Sequence, residues 1–236
     1  MTEWKMKRFW SEARAEPAAA GFAILLDGRP VKTPAKAGLC VPTRTLADAV
    51  AAEWDAQSGP VRPETMPLTR AANAAIDKVA IQQAEVAAML AEYGRTDLIC
   101  YRAEGPNELV RRQEAAWDPL LAWSAEEVGA PLVPTTGVVH IRQPAASLER
   151  FAEEVRGFDA FGLTALHDLV TLSGSLVIGL AALRGAFDGD DLWQRSRIDE
   201  IWQQEQWGED AEASQAAARK EAAFAQALEF FRLCRR

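Results

Sequence analysis

The pattern of apolar and polar positions divides the chain near Pro42. Residues 7–42 consist of short β-favouring runs, such as GFAILL, that are separated by turn-forming pairs. Asp27-Gly28 lies between two apolar segments, which is a strong signal for a β-hairpin, and a second turn is predicted at Ala37-Gly38. This part of the chain therefore predicts a small β-rich region.

After Pro42 the apolar spacing becomes helical. Thr43 or Thr45 can cap a helix whose single apolar face is predicted to contain Leu46, Ala47, Val50, Ala51 and Trp54. The proline-rich stretch from Ser58 to Thr69 then interrupts this helix. We expect the joint between two domains at this interruption.

The remainder of the chain predicts helices near 69–92, 107–128, 145–156, 160–185, 189–207 and 209–233. Two short pieces, Asp97 to Arg102 and Val138 to Arg142, are predicted as strands or extended connectors. The predicted fold class is therefore α+β. A small N-terminal β-rich domain, residues 1–62, is followed by a larger all-helical C-terminal domain, residues 63–236.

The stretch from Leu163 to Leu183 is about as long as a membrane span. Its polar or ionisable side chains include His167, Asp168, Thr171, Ser173 and Ser175. Because such side chains are costly in a bilayer, we interpret the stretch as one buried central helix.

Composition and charge narrow the possible partners. The 236 residues carry a net charge of −8, which argues against nucleic acid or an anionic membrane as a partner. The three cysteines are too few and too far apart for a disulfide framework. The N-terminus has no apolar signal core, so a cytoplasmic protein is expected.

Catalytic motifs are missing from the sequence. It contains no G-x-S-x-G, H-E-x-x-H, Walker A or G-x-G-x-x-G pattern. Ser173-Gly174-Ser175 is interpreted as a place of close helix packing, and His167 beside Asp168 as a structural histidine. His140 and His167 are the only histidines, so a histidine-rich metal site is excluded, whereas an all-carboxylate magnesium or calcium site remains open.

The acidic stretch IDEIWQQEQWGEDAEA, which starts at Ile198, is the strongest candidate for a site. An apolar band is predicted from Trp193, Ile198, Ile201 and Trp202, with Asp199 on the other side of the helix. Glu200 lies seven residues after Trp193 and seven before Trp207. These three residues therefore predict a tryptophan–carboxylate–tryptophan column on one helix.

Gly208 is predicted to end this helix. Glu209, Asp210 and Glu212 then fall in the first turn of the next helix, where acids interact favourably with the helix dipole and need no further function. Two interpretations of Glu200 stay open: an ordinary i, i+3 pair with Arg197, or a charged contact between aromatic anchors on a protein-binding surface.

Seven motifs along the chain together indicate a family. They are K-R-F-W (Lys7–Trp10), L-D-G-R-P-V-K-T-P (Leu26–Pro34), E-W-D-A-Q (Glu53–Gln57), M-P-L-T (Met66–Thr69), Y-G-R-T-D-L-I-C-Y-R-A (Tyr93–Ala103), W-D-P-L-L-A-W (Trp117–Trp123) and S-R-I-D-E-I-W-Q-Q-E-Q-W-G (Ser196–Gly208). In this order they resemble the ATP synthase assembly-chaperone family whose mitochondrial members bind the free α subunit of the F(1) sector.

The resemblance implies a binding protein without catalytic activity or cofactor. Such a protein holds the unassembled α subunit transiently and prevents its aggregation until the β subunit replaces it. The resemblance places the functional acid at Glu200, or alternatively Asp199, and Trp207-Gly208 also matches. Trp193 and Trp54 are further candidates for the contact surface, although Trp54 could instead pack at the domain joint. We expect a monomeric, bacterial cytoplasmic member, whereas eukaryotic relatives are mitochondrial.

Two other functions remain possible. A carboxylate-based hydrolase or metal-assisted enzyme would use Glu200 and Glu205, and it requires both side chains to converge in one concave pocket. A structural subunit of another complex would have a constitutive partner. The positions of Glu200 and Glu205 in the structure test the first of these alternatives, the enzyme.

Overall fold

The computed structural model describes residues 7–235, and internal contacts divide the chain into two compact units. One unit holds the chain up to Gln83, Ala160–Ala165 and the residues from Glu229 onward; the other holds Ala84–Asp159 and Leu166–Leu228. A strand region precedes a larger helical part, so the predicted α+β class is confirmed. The predicted division into two domains, 1–62 and 63–236, stays a prediction.

The strands of the first unit form an antiparallel sheet centred on β2. They are β1 (Ala13–Ala18), β2 (Gly21–Leu26), β3 (Arg29–Pro30) and β4 (Cys40–Val41), and β2 pairs with each of the other three. The predicted hairpin at Asp27-Gly28 is confirmed, because both residues have positive φ, 47° and 79°, as this tight turn requires. The second turn lies slightly earlier than predicted, with Lys36 at φ 72° and Gly38 already bridged to Lys32.

Helix α1 (Arg44–Asp55) has the predicted cap and the predicted apolar face. The Thr43 hydroxyl accepts a hydrogen bond from the Leu46 N–H at 3.1 Å, and all five predicted apolar side chains are buried. The chain then makes a 3₁₀ turn and enters α2 (Pro67–Ala74), which continues as a π-helical turn to Val79. The Glu53 carboxylate accepts the N–H groups of Leu68 and Thr69 at 2.7 and 2.8 Å, which caps α2.

The rest of the described chain consists of helices, the loops between them and two very short strands. In chain order the elements are α3 (Gln83–Glu92), β5 (Tyr101–Arg102), α4 (Asn107–Trp123), β6 (Thr135–Thr136), α5 (Ala145–Arg156), α6 (Ala160–Ser173), α7 (Leu176–Arg184), α8 (Gly189–Ser196), α9 (Ile198–Trp207) and α10 (Ala211–Cys234). Strand β5 falls within a predicted extended piece. Its parallel partner is β6, whereas the second predicted piece, Val138 to Arg142, is a connector outside any strand, with Val138 and Val139 exposed.

The apolar stretch from Leu163 to Leu183 is largely buried, but it is two helices and not the single helix predicted. Gly174 has a φ of +75° and ends α6, and the Ser175 hydroxyl caps α7 by accepting the Ile178 N–H at 3.0 Å. Ser173 and Ser175 therefore have structural hydrogen bonds at a helix break. Between residues 7 and 235, no helix is both long and apolar enough to cross a membrane.

Candidate partner-binding surface

Helix α9 carries three of the six residues predicted to bind a partner, Asp199, Glu200 and Trp207, and it is shorter than expected. Arg197, at φ −113° and ψ 13°, interrupts the predicted helix 189–207 and separates α8 from α9. At the other end Gly208, at φ +92°, terminates α9 as predicted. A side chain at this positive φ would be strained, so glycine suits the position.

Two grooves border α9. The first, of about 790 Å³, is lined by Leu109, Val138, Trp202, Trp207, Glu104 and Asp199 among others; we call it the apolar groove. The second, of about 430 Å³, is lined by Trp193, Arg197, Glu200, Trp207, Gly208 and Asp210 among others; we call it the charged groove. Trp207 lines both, so it stands where the two grooves meet.

Trp207 is the most prominent apolar side chain of this surface. It is 80 % exposed, although it is a large aromatic residue at the last position of α9. Aromatic side chains bury much area at a low entropic cost and are enriched among the residues that dominate protein–protein binding energy. An exposed indole between two grooves is therefore well suited to anchor a protein partner.

The two candidate acids lie in different grooves. Asp199 faces the apolar groove, where one carboxylate oxygen accepts a hydrogen bond from the Gln113 amide at 2.6 Å. Glu200 faces the charged groove and pairs with Arg197 at 2.6 Å. This ion pair is the i, i+3 contact considered from the sequence, and its exposure leaves Glu200 available to an additional basic group.

Trp193 and Trp54 are buried. Trp193 is 3 % exposed and packs against Phe224 with ring centroids 5.6 Å apart. Because the chain breaks at Arg197, the predicted column of Trp193, Glu200 and Trp207 along one helix is wrong, although all three residues line the charged groove. Trp54 is 8 % exposed and packs edge-on against Trp10 in the other unit.

Glu200 and Glu205 do not share a pocket. Glu205 pairs with Arg112 at 2.6 Å, and the same guanidinium pairs with Glu108 at 3.0 Å and covers the Trp202 ring at 4.8 Å. Glu200 lines the charged groove, whereas Glu205 is absent from the lining of both grooves. The two carboxylates therefore do not face either of these two grooves together, as the hydrolase alternative requires.

Two of the three acids after Gly208 and one histidine have local structural explanations, whereas Glu209 precedes α10 and is not in its first turn as predicted. Asp210 caps α10 by accepting the Ala213 N–H at 2.8 Å, and Glu212 lies in the first turn, as predicted. His167 contacts Asp168 at 3.0 Å on the exposed side of α6. Within residues 7–235 no group of three or more His, Cys, Asp or Glu side chains is arranged to hold a metal ion.

The sequence does not identify the residues that α9 faces across the apolar groove. Glu104, Leu109 and Val138 come from the loops and the helix α4 around β5 and β6. They are far from α9 in sequence, and no spacing rule connects them with it. The apolar Val138-Val139 pair is the one local signal, and its pattern predicts only a strand or an extended connector.

Known proteins resemble this chain over nearly its whole length. The family model described as ATP12 chaperone protein matches residues 7–125. A curated relative, the mitochondrial protein atp12 of Schizosaccharomyces pombe, is 25 % identical over 214 residues, which cover 86 % of this chain and 74 % of that protein.

Solved structures agree with these sequence matches. Atp12 from Paracoccus denitrificans is 50 % identical with a TM-score of 0.95, and the match covers 98 % of this chain and 100 % of the solved one. A mutant of the same protein is 49 % identical with a TM-score of 0.96, covering 99 % and 100 %. The chain therefore belongs to the ATP12 chaperone family, whose members are assembly factors of the ATP synthase.

Proposed function

We propose that this protein binds the unassembled α subunit of the ATP synthase F(1) sector and keeps it from aggregating until the β subunit replaces it. Membership of an assembly-chaperone family supports the general role, and it points to a binding protein rather than an enzyme. The assignment of the α subunit as the partner is our own inference.

The observation that carries the proposal is the exposed Trp207 at the end of α9. A subunit awaiting assembly exposes an apolar surface that would otherwise be buried against its neighbour. Trp207 offers a complementary apolar anchor, and Gly208 leaves space beside it, since a Cβ added to this glycine would meet no atom within 4 Å. Asp199 and Glu200 place negative charge on both sides of this anchor.

The charges on this surface suit a transient complex. Exposed ion pairs contribute only about 0–1 kcal/mol each, so they can orient a partner without holding it permanently. Trp193 supports the floor of the charged groove from its buried position. Trp54 contributes to the proposal only as a core residue that stabilises the unit containing it. A β subunit that buries more apolar area could displace such a chaperone by mass action.

We further propose that the protein acts as a monomer in a bacterial cytoplasm. The higher identity to the Paracoccus protein than to the mitochondrial relative supports a bacterial origin. A constitutive structural subunit would instead co-purify with a permanent partner, and gel filtration of the native protein distinguishes the two.

Replacing Glu200 by lysine tests the role of this carboxylate. We expect binding of the unassembled α subunit to weaken about tenfold or more, because the change reverses the charge and removes the partner of Arg197. Folding should hardly change, since an exposed pair contributes about 0–1 kcal/mol. Binding is measured by titrating labelled α subunit, and stability by urea denaturation.

Glu92→Lys is the matched control. Glu92 also forms an exposed i, i+3 pair with an arginine, Arg95, at 2.6 Å, but it lies at the end of α3. The control should bind the α subunit as the wild type does. Equal weakening by both variants, or a loss of folding with Glu200→Lys alone, would show that Glu200 is not a specific contact.

A further inference from the structure

The apolar groove has an excess of negative charge. Its lining includes two carboxylates, Glu104 and Asp199, and a single basic side chain, Arg102. The Arg102 guanidinium is buried and already donates to the Gln113 carbonyl and to the Asp118 carboxylate, both at 2.6 Å. It is therefore neutralised by Asp118, which lies outside the groove lining, and cannot balance Glu104 and Asp199.

Glu104 is placed for an external partner. It is exposed, and within residues 7–235 it forms neither a hydrogen bond nor an ion pair. Its carboxylate lies over Gly137, where an added Cβ would come within 2.8 Å of Oε1. The Gly137 N–H is in turn fixed by a hydrogen bond to the Arg102 carbonyl at 2.8 Å. Gly137 thus leaves the space that this carboxylate occupies beside the groove.

The two tryptophans of the groove differ in what covers them. Trp202 is buried and its ring is already covered by Arg112. Trp207 is exposed, and no cationic group of the described residues lies over its ring. A planar guanidinium can stack on an indole and bind a carboxylate in two-pronged fashion, which an ammonium group cannot do. The groove therefore combines an uncovered indole ring, Trp207, with two carboxylates, Glu104 and Asp199, and both features favour binding of an arginine.

We propose that the apolar groove binds a segment of the partner protein in which an arginine is flanked by apolar side chains. The guanidinium lies among Glu104, Asp199 and the Trp207 ring, and the flanking side chains contact Leu109 and Val138. This inference rests on the proposed function, because the partner is the unassembled α subunit. A groove of about 790 Å³ is large enough for a few side chains.

Glu104→Lys is the variant that tests this inference. It should weaken binding of the α subunit at least tenfold, and Glu104→Gln should weaken it to a smaller extent. Glu126→Lys makes the same charge change at another exposed glutamate, outside both grooves, and should stay within twofold of the wild type. Thermal unfolding of all variants should match the wild type because Glu104 has no partner to lose.

Arginine labelling of the α subunit with phenylglyoxal, read by mass spectrometry, identifies the bound group. Wild-type protein at saturating concentration should protect at least one α-subunit arginine, and Glu104→Lys at saturating concentration should restore its labelling. Failure of the wild type to bind the α subunit would overturn the proposed function itself. Binding with no protected arginine, or an affinity within twofold of the wild type for Glu104→Lys, would overturn the groove inference alone.

Discussion

Replacing Asp97 by alanine is expected to lower the free energy of unfolding by about 3–5 kcal/mol. The carboxyl group is fully buried, and its two oxygens accept the Ile99 N–H at 3.3 Å and the Val177 N–H at 3.1 Å. The second bond links the turn before β5 to the first turn of α7. Alanine would leave these buried N–H groups without acceptors, and each such loss costs about 1–3 kcal/mol.

Urea denaturation followed by circular dichroism measures this effect. Asp168→Ala is the control, because Asp168 is an exposed aspartate whose carboxylate contacts the neighbouring His167. A surface change of this kind should stay within about 0.5 kcal/mol of the wild type. A loss below about 1 kcal/mol for Asp97→Ala would mean that the two N–H groups find other acceptors.

The pH dependence of stability gives a second measure of Asp97. Burial raises the pKa of this carboxyl from 3.8 to about 6, against the opposing hydrogen bonds from Ser175 and the backbone. The folded state therefore binds more protons than the unfolded state between these values. The part of the stability that depends on protonation of Asp97 is fully present below the unfolded pKa and is lost as the pH rises through about 6. The difference between wild type and Asp97→Ala should thus be larger at pH 5 than at pH 7, by about 1 kcal/mol.

Trp207→Ala should produce the largest loss of partner binding. Removal of a central aromatic anchor typically costs about 2 kcal/mol or more, which corresponds to an affinity about 30-fold lower. Stability should be unchanged, because the indole is 80 % exposed and contributes little to the core. The measurement is titration of labelled, unassembled α subunit with the variant and the wild type.

Ile81→Ala provides the comparison for Trp207→Ala. Ile81 is 78 % exposed and lies outside α9 and both grooves. The Ile81→Ala substitution should leave the affinity for the α subunit within twofold of the wild type. If Trp207→Ala were equally harmless, the exposed indole would not be the anchor and the contact surface would have to be sought elsewhere.

Local signals in the sequence predicted the local structure well. The Thr43 cap, the apolar face of α1 and the Asp27-Gly28 turn depend on neighbouring residues, and the structure contains each of them. Gly208 likewise ends α9 as predicted, because this helix end depends on the backbone conformation of a single residue. Such features could be predicted because the interactions that fix them connect residues a few positions apart.

Helix breaks without glycine or proline could not be predicted in the same way. Arg197 is an ordinary helix former, yet it separates α8 from α9. No glycine or proline stands next to it in the sequence. In the folded unit, the Trp117 indole donates a hydrogen bond to the Arg195 carbonyl before the break. The Gln113 amide donates one to the Asp199 carboxylate after the break. Tertiary hydrogen bonds of this kind outweigh helix propensity.

The surface around α9 was predictable only in part. Glu200, Asp199, Trp207 and Gly208 belong to one continuous stretch, so a motif could identify them together. Glu104 and Val138 reach the same surface through the pairing of β5 with β6. A contact between residues so far apart in sequence depends on the complete fold, which no local pattern contains.

Capture of the unassembled α subunit is the decisive experiment on the proposed function. The wild-type protein is immobilised and exposed separately to unassembled α subunit and to the intact F(1) sector, and β subunit is then added to any captured material. We predict that the free α subunit is retained, that the intact sector is not, and that β subunit releases the bound α subunit. Failure to retain the free α subunit, under conditions that retain no intact sector, would contradict a chaperone role for this surface.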